Sequence, residues 1–303
     1  LPSLTIFKPA TNVGTLFGAG VVAFCFGLGA ILLLKGLNHE VAMAQLYPLL
    51  AAGFFFAMGC LYLYWTWCCR TLRYAIDRNA LSIRWGALMQ VIPLDRIEQL
   101  VPAEGSEHPF IEGVGWFWPG HHVGRAFVPM MGGDVLFYST HRTMNEVLYV
   151  QTPDETYAIS VPDQQVFAQT VQSAQARGPL FEQRQAVHRW GIAAQSFWVD
   201  PNARLLAAAL VASFVAVLAY VLHQYPGLSQ SVPLRFPSLG GIVRVTDKSE
   251  MLDIPRSALG FMALNLTLAV LLHSWERMVG YVLLLAGIAV EVMLLIAAAV
   301  AVA

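Results

Sequence analysis

Between Val13 and Leu34 the chain carries no charged side chain. A run of about 20 apolar residues is long enough for a helix to cross the hydrocarbon of a bilayer, and it leaves the chain little choice but to be covered by lipid or protein. The pattern returns four times, so spans are read at 13–34, 47–69, 203–222, 257–272 and 278–302. Between the second and the third lies the only long segment polar enough to fold in water, Arg70 to Arg177. Composition agrees: 12% of the 303 residues are charged, against about 25% in a soluble domain. The expected fold class is an α+β membrane protein, about five transmembrane helices around one inserted domain. The first apolar run leads into a basic loop, not a small-residue cleavage motif, so no secretory signal is expected there.

The insert reads as short strands. Tyr74 to Gly86 alternates strand-type residues on either side of an Asp77-Arg78-Asn79 turn, the pattern of a hairpin. Leu88–Ile92, Glu98–Val101, Val135–Thr140, Val147–Thr152 and Thr156–Ser160 follow as further strands. Pro162 and Asp163 suit the first turn of a helix, on which Phe167, Val171 and Ala174 share one face. Six or seven strands and one amphipathic helix point to a curved sheet or barrel plugged by that helix. The expected boundaries are 1–69 for two helices, 70–178 for the domain, 179–202 for an interfacial connector and 203–303 for three helices with an exported loop, 223–256. In that loop Ile242–Thr246 is expected to pair with Met251–Ile254.

Tyr74-Ala75-Ile76, Leu81-Ser82-Ile83, Gly86, Ile92-Pro93-Leu94 with Ile97, and Phe137-Tyr138-Ser139-Thr140 carry a resemblance, completed by Val147–Thr152 and Tyr157–Asp163 with Phe167. Together they resemble the bacterial pleckstrin-homology-like (PH-like) domains of multi-pass membrane proteins, over about a third of the chain. The resemblance implies a β-barrel or sandwich of seven strands capped by a C-terminal helix, and a role in binding more than in chemistry.

Arg70, Arg73 and Arg78 follow the second span closely, which by the positive-inside rule places the domain in the cytoplasm. The N-terminus is then inside, the C-terminus outside, and the compartment the inner (plasma) membrane. From Arg70 to Asp200 ten arginines and no lysine face thirteen acids, a net of −3. Specific binding of an anionic lipid headgroup is therefore not expected, and a net chain charge of −1 gives no reason to expect nucleic acid.

Several residues carry chemistry or contact. Gly14 and Gly18 form a GxxxG, either a docking face for another subunit or, favoured here, a seam for this chain's own second helix. Glu291 lies halfway along the fifth span, where a carboxylate is costly, with Asn265 at similar depth in the fourth. The pair is read either as a proton or cation site or as an interhelical hydrogen bond, Glu291 bonding Asn265 or a partner subunit; the second is favoured. His121 and His122 with His141 invite a zinc reading, but no further ligand at metal spacing accompanies them, and solvated loop histidines are favoured. Trp116, Phe117 and Trp118, with His121 and His122, are the candidate interaction surface: a loop that dips into the membrane or covers a groove, or one packed on the domain's open edge. No cofactor, metal or catalytic residue is expected, since no P-loop, GxSxG or HExxH occurs. The four cysteines lie in or at the end of apolar runs, as reduced thiols would. The function expected is a non-catalytic membrane scaffold or accessory subunit with the domain as a protein-interaction module. The alternatives are a proton- or ion-linked transport protein using Glu291, or a membrane enzyme with its site in the 104–134 insert.

Overall fold

The computed structural model describes residues 4–103, 115–236 and 242–302, with the side chains of 115–116, 192–193, 232–246 and 301–302 outside the description. In chain order the elements are β1 (Thr5–Phe7), α1 (Asn12–Asn38), α2 (Leu46–Arg70), β2 (Arg73–Ile76), β3 (Ala80–Trp85), β4 (Leu88–Pro93), β5 (Gln99–Pro102), β6 (Gly115–Trp118) and β7 (His121–Val128). There follow β8 (Gly133–Ser139), β9 (Val147–Gln151), β10 (Thr156–Ser160), α3 (Gln164–Ala176), β11 (Ala186–Arg189), α4 (Pro201–Gln224), β12 (Ser231–Phe236), β13 (Ile242–Asp247), α5 (Asp253–Leu272) and α6 (Arg277–Val302). All but α3 among these helices are long and apolar enough to cross a membrane, five in the described residues. The chain divides into two compact units, Leu1–Phe26 with Ala57–Ala193, and Gly27–Phe56 with Ala194–Ala303.

In the first unit two sheets enclose the core. One has the order β1-β2-β3-β4-β11, the other β5-β9-β10-β8-β7-β6, with β8 and β10 parallel. Among the described residues they do not join into one closed barrel, so the expected barrel becomes two separate sheets. The turn after β2 forms as the sequence implied: the Asp77 carboxylate accepts from the Asn79 and Ala80 amides at 2.7 and 2.8 Å. Asp163 caps α3 by accepting from Val166 N at 3.0 Å, and Phe167, Val171 and Ala174 are its buried face. They pack on Tyr74, Leu81, Ile83, Ile92, Leu148 and Ile159 in the main apolar cluster. Each fully buried side chain of this size contributes roughly 1.5–3 kcal/mol.

Two further expectations change. The strands outnumber the six or seven expected, because β1 joins from before α1 and β11 from the connector, and because the glycine-rich insert contributes the β6–β7 hairpin. In the second unit, β13 pairs with β12, not with Met251–Ile254, which lead into α5. Arg78 also has a structural partner: it donates to the carbonyls of Arg177 and Gly178 at 3.0 and 3.1 Å. A guanidinium suits the unpaired carbonyls and negative dipole end that finish α3.

In the second unit α4, α5 and α6 pack on one another. Buried positions fall on one helical face: Ala203, Leu210 and Val217, seven residues apart on α4, Ala258 and Ala269, eleven apart on α5, and Gly280, Leu284, Gly287, Glu291 and Ala298, three, four or seven apart on α6. That period keeps one face of each helix on a common seam. The outward faces are apolar, with Leu205, Leu264, Leu285 and Met293 all exposed.

Candidate functional site

Three places bring together the residues that could carry function. The first is the mount of the domain on α1 and α2. Pro119 and Gly120 form the two-residue turn of the β6–β7 hairpin, Gly120 with φ +74°. Pro fixes the first turn position and Gly takes the left-handed second one. The turn then reaches α1 at Gly14: a Cβ on Gly14 would lie 2.2 Å from Gly120 O. Trp118 Nε1 donates to Gly14 O at 3.0 Å. Trp118 stacks on His121 at 3.8 Å and 7°, and packs near Tyr62 and Trp65 of α2. Next to it on α2, Gly86 (φ +55°) brings the β3–β4 turn against Cys68, and its amide donates to Thr71 Oγ1 at 3.0 Å.

The sequence-predicted residues therefore fall differently from one another. Gly14 faces the domain and Gly18 faces Thr66 of α2, whose Oγ1 would be 2.2 Å from a Cβ. Trp118 and His121, expected on an interaction surface, are buried in the mount. Phe117 and His122 are half-buried and lie ring to ring at 5.8 Å, while the side chain of Trp116 lies outside the described residues. His121 and His141 are buried, not solvated. His122 and His141 stack at 4.0 Å, and Ser139 Oγ lies 2.7 Å from His141 Nδ1. An imidazole binds a metal in its ring plane, and stacked rings do not converge on one point. Among the described residues no group of three or more His, Cys, Asp and Glu could hold a metal ion. Residues 104–114 of the insert proposed as an enzyme site lie outside the described residues.

The second place was not legible in the sequence. Asp200 caps α4 by accepting from Asn202 and Ala203 amides at 2.9 and 3.3 Å. Its other oxygen accepts from Tyr281 OH at 2.6 Å and lies 3.2 Å from His273 Nε2. The Tyr281 bond, then the two helix amides, hold the Asp200 carboxyl below the usual range. Gly280 makes room for the His273 ring, since a Cβ there would lie 2.5 Å from Nδ1. The Asp200-Pro201 pair is a recognisable helix start. Its partners, His273 and Tyr281, lie far along the chain and gave no local signal.

The third place is the seam around Glu291. Glu291 is 0% exposed, and neither carboxyl oxygen has a hydrogen-bond partner among the described residues. Asn265 does not bond it: its Nδ2 donates to Phe261 O of its own helix at 2.9 Å. Because Glu291 is buried within the chain, it is not presented to a second subunit. One turn before it, a Cβ on Gly287 would lie 3.2 Å from Asn265 Cβ and 3.0 Å from Leu210 Cδ1.

Residues 72–175 match the family model of the bacterial PH domain. The matched segment runs from the end of α2 to the end of α3, so it holds β2 to β10 and the helix that covers their core. No curated protein and no solved structure gives a match.

Proposed function

We propose that this chain is a non-catalytic integral membrane scaffold or accessory subunit, with five helices in the bilayer and the PH-like domain as its protein-binding module. The mount carries the reading. Only Thr71 and Leu72 separate α2 from β2, and the β6–β7 turn is fixed to α1 through Gly14 and Trp118. A domain held this way is anchored to the first-unit ends of α1 and α2, which suits assembly. The binding edge is the outer side of β11, where Val187, His188 and Arg189 are exposed and, among the described residues, only β4 pairs with the strand. An exposed strand edge is a ready template for a partner's backbone. A cleft of about 550 Å³ beside Arg96 and Arg184 is also lined by Asp95, Asp154 and Glu182. That mixed charge favours a protein over a phosphate headgroup. The domain lies in the cytoplasm, on the arginines Arg70 and Arg73.

Native purification in mild detergent with mass spectrometry tests the reading. A stoichiometric protein partner is expected, retained by the wild type and lost in Val187→Lys while the helices stay assembled. A monomer or homo-oligomer without a partner overturns it.

A further inference from the structure

We infer that the strand received by β11 is acidic: its residue opposite Arg189 is Asp or Glu, and the one two positions away, opposite Val187, is apolar. This rests on the reading of β11 as the binding edge and names the chemistry of what binds there. The register sets the geometry. Trp190 N donates to Ala87 O at 3.1 Å, which continues the β11–β4 ladder. In an antiparallel ladder the backbone groups of successive residues point alternately toward one neighbour and away from it. His188 therefore turns its N–H and C=O toward β4, as Trp190 does, while those of Val187 and Arg189 face the open edge. An added strand bonds at these two residues, and its side chains opposite them share their face of the sheet.

Charge selects the partner. Arg73, Arg84, Met89 and His188 stand directly opposite one another across β2, β3, β4 and β11, so they share the sheet's other face. Like charges set opposite each other across strands repel. Arg84 Cζ lies 5.0 Å over the Trp190 ring, which carries its charge across β4 to the end of β11. Among the described residues its Nε is buried without a hydrogen-bond partner, and Arg73, Arg84 and Arg189 make no ion pair. From Arg70 to Pro93 the one acid is Asp77, and its carboxylate is occupied by the turn amides. The segment 70–200 is acidic on balance, yet cations without carboxylates collect at this edge. An acid opposite Arg189 meets its guanidinium. A second acid, opposite His188, lies on the face where Arg84 covers Trp190. Val187, 47% exposed, offers an apolar contact on the face of Arg189. An antiparallel partner therefore reads acid, acid, apolar along its chain. A lipid headgroup brings a phosphate but no backbone for Val187 and Arg189 to bond, so the edge fits a peptide strand.

Fluorescence anisotropy of labelled synthetic peptides, with the full chain in phosphatidylcholine nanodiscs, tests this. A peptide with a Thr-Val-Glu-Glu-Val-Thr core is expected to bind at least about tenfold more tightly than its Lys-Lys counterpart. Arg189→Glu should invert that preference, an outcome that misfolding does not produce. Arg84→Met keeps the length of the arm without its charge and should weaken the acidic peptide by about fivefold. Equal binding of the two peptides, or a preference that Arg189→Glu leaves unaltered, overturns the acidic strand but not the edge. If neither peptide binds, the acidic strand is again overturned, and the native purification with Val187→Lys decides the edge separately. Acidic-peptide binding that disappears when phosphatidylglycerol is added to the nanodiscs shows the arginines held by headgroups and also overturns the inference.

Discussion

Tyr74 shows how much one hydroxyl holds together. It is fully buried, donates to Tyr138 O at 2.6 Å and accepts from Ser160 N at 3.1 Å, so it links the two sheets. Tyr74→Phe keeps the ring and strands a buried carbonyl and amide. The expected loss is about 1–3 kcal/mol, read as a lower thermal midpoint followed by tryptophan fluorescence. Alkali should reach the same place. Burial pushes the phenols of Tyr74, Tyr138 and Tyr157 above their ordinary value of 10.0, Tyr138 up to about 12. Below that ordinary value both folded and unfolded chains hold these protons and stability is complete. As pH rises further the unfolded chain loses them first, so it binds fewer protons and folding stability falls. Melts at about pH 8 and about pH 11 should show this fall, smaller in Tyr138→Phe. A midpoint that does not change with pH would refute the assignment.

At the scale of elements, glycines separate contact from ornament. Gly14 and Gly20 lie on the same helix, but Gly14 meets Gly120 while a Cβ on Gly20 meets nothing within 4 Å. Gly14→Ala is expected to destabilise by about 1–3 kcal/mol through overpacking. Gly20→Ala should be neutral or gain up to about 1 kcal/mol from chain entropy. Equal effects in thermal melts would mean that the mount is not where α1 is held. Arg78→Ala removes the group bonded to the last carbonyls of α3 and should cost about 1 kcal/mol, visible as faster amide exchange in Gln175 to Gly178.

The sequence was legible where local pattern and tertiary environment agree. Phe167, Val171 and Ala174 recur with the helical period and are buried together. The long apolar runs could be little else but helices. It was opaque where partners are distant. β1 has three residues and β11 four, too short for a period to declare itself, and each becomes a strand only because β2 or β4 offers an edge. The Trp118-Pro119-Gly120-His121 turn is a recognisable hairpin signal in hindsight. Its aromatic residues suggested a surface, and they proved to be the packing of the mount.

At the scale of the whole molecule, β1 sets a condition on how the protein is made. Thr5 pairs with Ile76, and the two spans α1 and α2 lie between them in sequence. The ribosome delivers β1 early, but its neighbour emerges only after both spans have left the exit tunnel. The first sheet therefore cannot be completed until the chain of α1 and α2 has folded back to bring β2 beside β1. On the membrane-spanning reading proposed above, sheet closure works as a checkpoint on insertion: a chain whose second span fails to integrate keeps β1 unpaired, exposing Phe7, which in the folded chain packs on Phe167, beside an open strand to quality-control proteases. Removing β1 should let misinserted and correctly inserted chains survive more equally, measurable as a narrowed difference in their half-lives in pulse-chase.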